Sequence, residues 1–232
     1  MLVLNITRGL LYFFSFFSLM GYATTSLGQI SSNTEINKQE FSNLATKYLN
    51  NPKHKQAVIL EITKCSNKGN PYCSDYLCLY FFSTKKYSDT YKFCSSYKSK
   101  RIRSKQNFIL GFLFQTGHGV LQNEALAMKY YLKAAAQGEP YSAYNIAVIH
   151  LQKMELLIKT KQFSRELEKE AIMAYSWAKI AKALGYKSEN KNSVSVDTVI
   201  RTLKPILTSR NLINEANSLS EKICSNIRKC HH

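Results

Sequence analysis

Residues 110–138 constrain the fold more than any other stretch, because they carry two helical patterns separated by glycines. Leu110 and Phe114 fall on one face of a first helix, since residues four positions apart are neighbours in a helix. Gly117 and Gly119 then interrupt the pattern, because glycine readily takes the left-handed backbone angles at which helices end. The stretch therefore predicts a helix that ends at a glycine turn.

The second helical pattern begins after Asn123, whose short polar side chain is typical of a helix N-cap. Ala127, Tyr130, Tyr131 and Ala134 follow at helical spacing, and the small alanines let another helix approach closely. A single helix pair cannot bury such an apolar face alone. The sequence therefore predicts further copies that stack against it.

The complete unit resembles the Sel1-like repeat, a helix-pair repeat related to the tetratricopeptide repeat. The residues that carry this resemblance are Leu110, Gly111, Phe114, Gly117, Gly119, Val120, Ala127, Tyr130, Tyr131, Ala134, Ala135 and Gly138. The resemblance implies an all-α fold, a right-handed α-solenoid of antiparallel helix pairs, in which these residues serve packing first.

An upstream copy of the unit is visible in the sequence. Residues 64–72 match residues 133–141 with Lys, Gly, Pro and Tyr at the same places, at an offset of 69 residues. That offset corresponds to two repeats, so we expect an intermediate copy between them. Residues 71–83 and 88–100 predict its two short helices around a turn at residues 83–86, without the glycine signature.

A downstream copy is longer. Residues 174–185 match residues 127–138 at an offset of 47. The additional residues fall in the segment 153–169, which has helix-forming residues and no Pro or Gly, so two lengthened helices are predicted there. The residues of this copy that take the places of Ala127, Tyr130, Ala134 and Gly138 are Ala174, Trp177, Ala181 and Gly185.

Residues 1–23 predict a secretory signal peptide, because an apolar run over residues 10–20 is followed by small residues that a signal peptidase prefers. The run is too short for a membrane span. Residues 24–37 predict a linker, residues 38–187 a solenoid of about four repeats, and residues 188–232 C-terminal capping helices and a tail. We expect a periplasmic or secreted chain without a transmembrane segment after signal cleavage.

Six cysteines follow the predicted signal peptide. An even number of cysteines behind a signal peptide predicts an oxidising compartment and a disulfide framework. A zinc site or a redox pair has no support, since the sequence contains no C-x2-C motif. The cysteines are Cys65, Cys73, Cys78, Cys94, Cys224 and Cys230.

The first four cysteines suggest two bonds. The secreted, cysteine-rich branch of the Sel1-like family implies a bond between Cys65 and Cys73, which flank a repeat junction. Cys78 and Cys94 lie eight residues on either side of Lys86, in the middle of the predicted helical turn. Antiparallel helices would bring that pair to the same height, whereas a Cys65–Cys94 bond would contradict this register.

Cys224 and Cys230 can bond only if the last helix ends near Ser225 or Asn226. In one continuous helix, six residues would separate the two cysteines by about 9 Å and turn them to different faces. Sequence alone leaves other connectivities open.

Motif tests give little support for an enzyme. The sequence has no Walker A loop, no GxSxG, no HExxH and no Gly-rich dinucleotide turn. We therefore expect no cofactor, no metal site and no catalytic residue. Some members of the cysteine-rich branch are described as penicillin-binding or β-lactamase-like, but no S-x-x-K motif with a supporting K-T-G is present here. A β-lactam or cell-wall-peptide hydrolase is one alternative.

The resemblance implies a non-catalytic scaffold whose repeats present a groove to a protein or peptide partner. Stacked helix pairs also form a long, rigid surface that a partner can bind. We expect this surface on the first helix of each repeat, around Tyr76, Tyr80, Phe112, Tyr144 and His150. A secreted effector that engages host proteins is a second alternative.

The charge is strongly unbalanced, with 32 Lys and Arg against 15 Asp and Glu and a net charge of +17. One basic cluster consists of Lys98, Lys100, Arg101, Arg103 and Lys105. It is either a solvated connection or a site for an anionic surface or polymer. Nucleic-acid binding is not predicted, because no recognised motif is present. We expect a monomer.

Overall fold

The computed structural model describes residues 38–44, 46, 55–96, 104–162, 165–188, 194–227 and 230. The described residues form an all-α structure without a strand. The predicted signal peptide (1–23) and linker (24–37) lie outside them. Within the described ranges, no helix combines the length and the apolar character that crossing a membrane requires.

Nine helices have bounds that fall in the described part of the chain. They are α1 (Lys55–Asn67), α2 (Pro71–Ser83), α3 (Tyr87–Ser95), α4 (Ser104–Thr116), α5 (Glu124–Ala135), α6 (Pro140–Lys159), α7 (Arg165–Ala183), α8 (Val196–Ser209) and α9 (Ile213–Cys224). Residues 38–44 and 46 are helical as well. The chain divides into two compact units, and the division falls inside α5, between Ala127 and Met128.

In the N-terminal unit, each helix packs mainly on its neighbours in the chain. α2 packs against α1 and most extensively against α3, while α4 packs against α3 and more lightly against α2. Gln106 of α4 donates a hydrogen bond to Asp75 of α2, and both side chains are buried. The fully buried side chains include Val58, Ile62 and Leu77. Each apolar face is thus covered by the next helix along the chain.

α3 ends at Ser95, before the predicted end at residue 100. Two serine hydroxyls bond back to the helix at this end. Ser95 donates to the carbonyl of Tyr91, and Ser96 donates to the carbonyl of Phe93. Hydroxyls that bond back to the preceding turn compete with continuation of the helix.

In the C-terminal unit, α7 is the central helix, since it packs against α6, α8 and α9. α6 and α7 have 20 and 19 residues, which confirms the prediction of two lengthened helices. Ala174, Ala178 and Ala181 of α7 are fully buried, and these small side chains allow neighbouring helices to approach closely. The Ser176 hydroxyl donates to the carbonyl of Ala216 at 2.8 Å and thereby links α7 to α9.

Three helices, α1, α5 and α7, are followed by the same hydrogen-bonded turn, centred on Gly69, Gly138 and Gly185. The glycine N–H bonds the carbonyl three residues earlier, at 2.9, 2.8 and 2.9 Å, and the next N–H bonds the carbonyl five residues earlier, at 3.3, 3.1 and 2.9 Å. The glycine φ angles are 89°, 82° and 82°. This is the Schellman helix end, which requires a left-handed residue.

After the first two of these turns the chain enters the next helix in the same way. Asn70 and Glu139 have extended backbones, and their side chains accept hydrogen bonds from the N–H groups of Tyr72 and Ser142. A proline follows each cap as the first residue of α2 or α6. Proline suits that position because its missing N–H has no partner within the helix. The matching sequence segments therefore form matching structures.

The turns that follow α2, α6 and α8 make the same hydrogen bonds without glycine. Their left-handed residues are Lys85, Lys161 and Asn211, with φ of 57°, 56° and 59°. A side chain with a Cβ is strained at these angles, although asparagine tolerates them better than most residues. The two lysines therefore occupy positions that favour glycine.

Replacing Lys161 with glycine should stabilise the fold, because the left-handed conformation costs a lysine about 1–2 kcal/mol. The greater freedom of glycine in the unfolded chain offsets part of the gain. We expect the free energy of unfolding to rise by about 0.5–1 kcal/mol and the thermal midpoint, measured by circular dichroism, to rise by about 1–4 °C. Lys169→Gly is the matched control, since Lys169 is also exposed but lies inside α7, where glycine costs about 1 kcal/mol. Equal destabilisation by the two changes would contradict the left-handed conformation of Lys161.

Candidate interaction surface

Four rings come together where two turns of the N-terminal unit meet, and we call them the aromatic cluster. Phe82 lies at the end of α2, Tyr87 begins α3, Phe112 lies in α4, and His118 lies in the turn after α4. The His118 ring is 4.6 Å from that of Tyr87 and 5.9 Å from that of Phe112, between centroids. Phe82 is 5.5 Å from Phe112, edge to face. All are favourable ring contacts.

The aromatic cluster is partly open to solvent. Phe82, Tyr87 and Phe112 are half-buried, and His118 is exposed. The His118 ring nitrogens make no hydrogen bond to any residue that the structure describes. The cluster therefore offers ring faces and an imidazole that a partner could contact.

Gly119 brings the turn after α4 against the start of α3. A Cβ added at Gly119 would lie 2.6 Å from the carbonyl carbon of Tyr87 and 2.7 Å from the backbone nitrogen of Ser88. Its φ is 71°, which also favours glycine. The close approach places His118 over Tyr87, so Gly119 determines the geometry of the aromatic cluster.

A second aromatic row runs along α2. Phe41 stacks on Tyr72 at 6.5 Å and contacts Tyr76 at 5.6 Å, and Tyr76 stacks on Tyr80 at 6.1 Å. All four side chains are half-buried. Tyr76, Tyr80 and Phe112, three of the predicted partner-facing residues, are thus partly accessible.

The prediction that Tyr144 and His150 face a partner is wrong, because only 5% and 9% of their surfaces are exposed. The segment that leads into α8 covers this side of α6. The Tyr144 hydroxyl donates to the carbonyl of Val194 at 2.7 Å, and its ring stacks on Tyr186 at 4.3 Å. Burial also raises the pKa of the Tyr144 phenol above its ordinary value, so it stays protonated at physiological pH.

His150 forms a buried pair with Glu170. Its Nδ1 lies 2.6 Å from a carboxylate oxygen of Glu170 and joins α6 to α7. A carboxylate that orients a histidine occurs in hydrolases, but there the histidine also contacts a nucleophile. No described Ser or Cys hydrogen-bonds to His150, and every described cysteine is in a disulfide. The pair therefore connects two helices.

The structure contains three disulfides, and they join the cysteine pairs suggested by the sequence. Cys65–Cys73 connects the end of α1 to the start of α2 across Gly69, with a Cα–Cα distance of 6.0 Å. Cys78–Cys94 connects α2 to α3, with a Cα–Cα distance of 4.9 Å. These four cysteines are buried. The two bonds join α1 to α2 and α2 to α3, and the second holds together the helices that carry Phe82 and Tyr87.

The third disulfide, Cys224–Cys230, has a Cα–Cα distance of 5.4 Å. It forms because α9 ends at Cys224, with Ser225 as its C-cap, which is the helix end that this pair needs. The N–H of Cys230 bonds the carbonyl of Ile227 at 3.2 Å. The turn thus brings Cys230 back to the helix end.

The residues assigned to repeat packing are mostly in the core. Tyr130 is half-buried, with the Lys133 ammonium 5.5 Å from its ring centroid. Gly117, Gly119, Gly138 and Gly185 all have positive φ. The buried members are Leu110, Gly111, Ala127, Ala134, Ala174, Trp177 and Ala181.

Most of the basic cluster predicted from the sequence lies outside the described residues, namely Lys98, Lys100, Arg101 and Arg103. Lys105, its remaining member, is half-buried at the start of α4. The described part of the chain contains no group of three or more His, Cys, Asp or Glu that could hold a metal ion.

Gly119→Ala tests whether the close approach fixes the aromatic cluster. We expect the free energy of unfolding, measured with urea, to fall by about 2–5 kcal/mol, because of left-handed strain and the clash with Tyr87. Gly185→Ala is the matched control, since Gly185 has a similar φ of 82° but no described atom within 4 Å of an added Cβ. It should cost about 1–2 kcal/mol. A smaller loss at Gly119 than at Gly185 would contradict the close approach.

The aromatic cluster is not apparent as a unit in the sequence, because its rings come from separate elements. The signal that could have revealed it is the pair of glycines around His118, which requires a close approach. The chain matches no protein-family model, no curated protein and no solved structure. Its function therefore has to be inferred from its own residues.

Proposed function

We propose that this chain is an exported, non-catalytic scaffold of Sel1-like repeats that binds a protein or peptide partner. The aromatic cluster is the observation that carries this function. Four partly accessible rings lie together, and a disulfide joins the two helices, α2 and α3, that carry Phe82 and Tyr87. Aromatic side chains held rigidly at a surface contribute much of the binding energy at protein interfaces.

The repeat assignment is supported by the turns at Gly69, Gly138 and Gly185. Each ends a helix with the same pair of backbone hydrogen bonds, at positions that the sequence offsets of 69 and 47 predict. A turn that recurs at repeat spacing gives the same exit direction to each helix. That is the property a solenoid of antiparallel helix pairs needs.

Export is supported by the cysteines. Three disulfides form and every described cysteine takes part in one. Disulfides persist in oxidising compartments and are rare in the cytosol. The periplasm or the extracellular space is the location that we propose.

Site-specific photo-crosslinking in the producing cell tests the scaffold function. A benzoyl-phenylalanine at position 88, which is exposed and directly follows Tyr87 of the aromatic cluster, should capture a protein partner. The same probe at position 204, exposed on α8, is the matched control. The captured protein should then bind the purified, oxidised chain. A partner from a host cell would favour the effector alternative, whereas an envelope protein of the producer would favour a periplasmic adapter.

Nitrocefin turnover separates the scaffold from the hydrolase alternative. We expect none from the purified chain. Turnover that is lost in His150→Gln would contradict the scaffold and would assign chemistry to the His150–Glu170 pair.

A further inference from the structure

We propose that the aromatic cluster and Lys86 together bind an acidic polypeptide segment that carries an aromatic side chain. This inference rests on the proposed function and specifies the chemistry of the partner. Three observations carry it: the accessible rings, the cation beside them and the charge of the surrounding chain.

The rings provide the apolar part of the site. Phe82, Tyr87 and Phe112 are each half-buried and hold one another edge to face or tilted. His118, exposed, lies against Tyr87 and Phe112. Rings that are already fixed by neighbours lose little entropy when a further ring stacks on them. An imidazole N–H is in addition a hydrogen-bond donor for a carboxylate.

Lys86 provides the charge. It is the N-cap residue of α3, directly before Tyr87, and its side chain is exposed. It forms no ion pair with any residue that the structure describes. An exposed lysine directly before a ring of the aromatic cluster matches an acidic segment with an aromatic residue.

The sequence around the cluster is basic as a whole. The described residues in 71–96 and 104–123 include two acidic residues, Asp75 and Asp89, and four basic ones, namely Lys85, Lys86, Lys92 and Lys105. Asp75 is buried, which leaves Asp89 as the one exposed carboxylate in the described part of this stretch. Such an imbalance attracts an acidic partner and disfavours a basic one.

Binding of synthetic copolymers to the full, oxidised chain tests this inference. A random copolymer of glutamate and tyrosine should bind about tenfold more tightly than polyglutamate of the same length, by fluorescence anisotropy, because stacking adds to charge. Polyglutamate that binds equally well would show that charge alone is recognised and would overturn the proposal.

Variants locate the binding. His118→Ala and Lys86→Glu should each weaken copolymer binding by about threefold to tenfold, with thermal unfolding confirming that both fold. Lys204→Glu makes the same charge change on α8, also exposed, and should leave binding within about twofold. Equal weakening by Lys204→Glu, or none by His118→Ala, would overturn the proposal. If a captured protein partner binds both cluster variants as tightly as the unchanged chain, this inference is overturned. The proposed scaffold function would still stand.

Discussion

The structure depends on one backbone arrangement, the left-handed residue that ends a helix and lets its last carbonyls find partners. Without it, those carbonyls would stay unpaired or the chain would leave the helix in another direction. Six helix ends share the arrangement, around Gly69, Lys85, Gly138, Lys161, Gly185 and Asn211. The helices on either side of five of these turns, at Gly69, Lys85, Lys161, Gly185 and Asn211, pack on each other, and the small packing residues of α7 can meet their neighbours. The turns determine the direction of the chain, and the disulfides and ring contacts stabilise the resulting arrangement.

The sequence predicts some of these turns and not others, for a physical reason. Gly69, Gly138 and Gly185 are recognisable because glycine has the freedom that the conformation needs, and Pro71 and Pro140 then mark the next helix. At Lys85 and Lys161 the same conformation is held by the hydrogen bonds and packing of the surrounding turn. A lysine in the sequence does not indicate a left-handed conformation. The lengthened helices α6 and α7 were predictable because residues 153–169 contain helix formers and no Pro or Gly.

Accessibility was harder to predict than secondary structure. Tyr144 and Phe112 both lie on helices assigned to the partner-facing side, yet Tyr144 is buried and Phe112 is half-buried. What covers Tyr144 is Val194 and Tyr186, which are distant in the sequence and belong to a polar connection without periodicity. Periodicity shows which face of a helix is apolar but not which later segment returns to cover it. The aromatic cluster escaped notice for the same reason, since its four rings come from four separate elements.

The disulfide pattern has a consequence for how the chain matures. Each cysteine bonds to the next cysteine in the sequence, across separations of 8, 16 and 6 residues. Such short loops close readily and each stabilises by about 2–3 kcal/mol. For a chain that enters an oxidising compartment N-terminus first, the first free thiol always meets its correct partner before any other. Oxidation in order of emergence therefore yields the final connectivity directly, with no wrong pair to be exchanged by an isomerase.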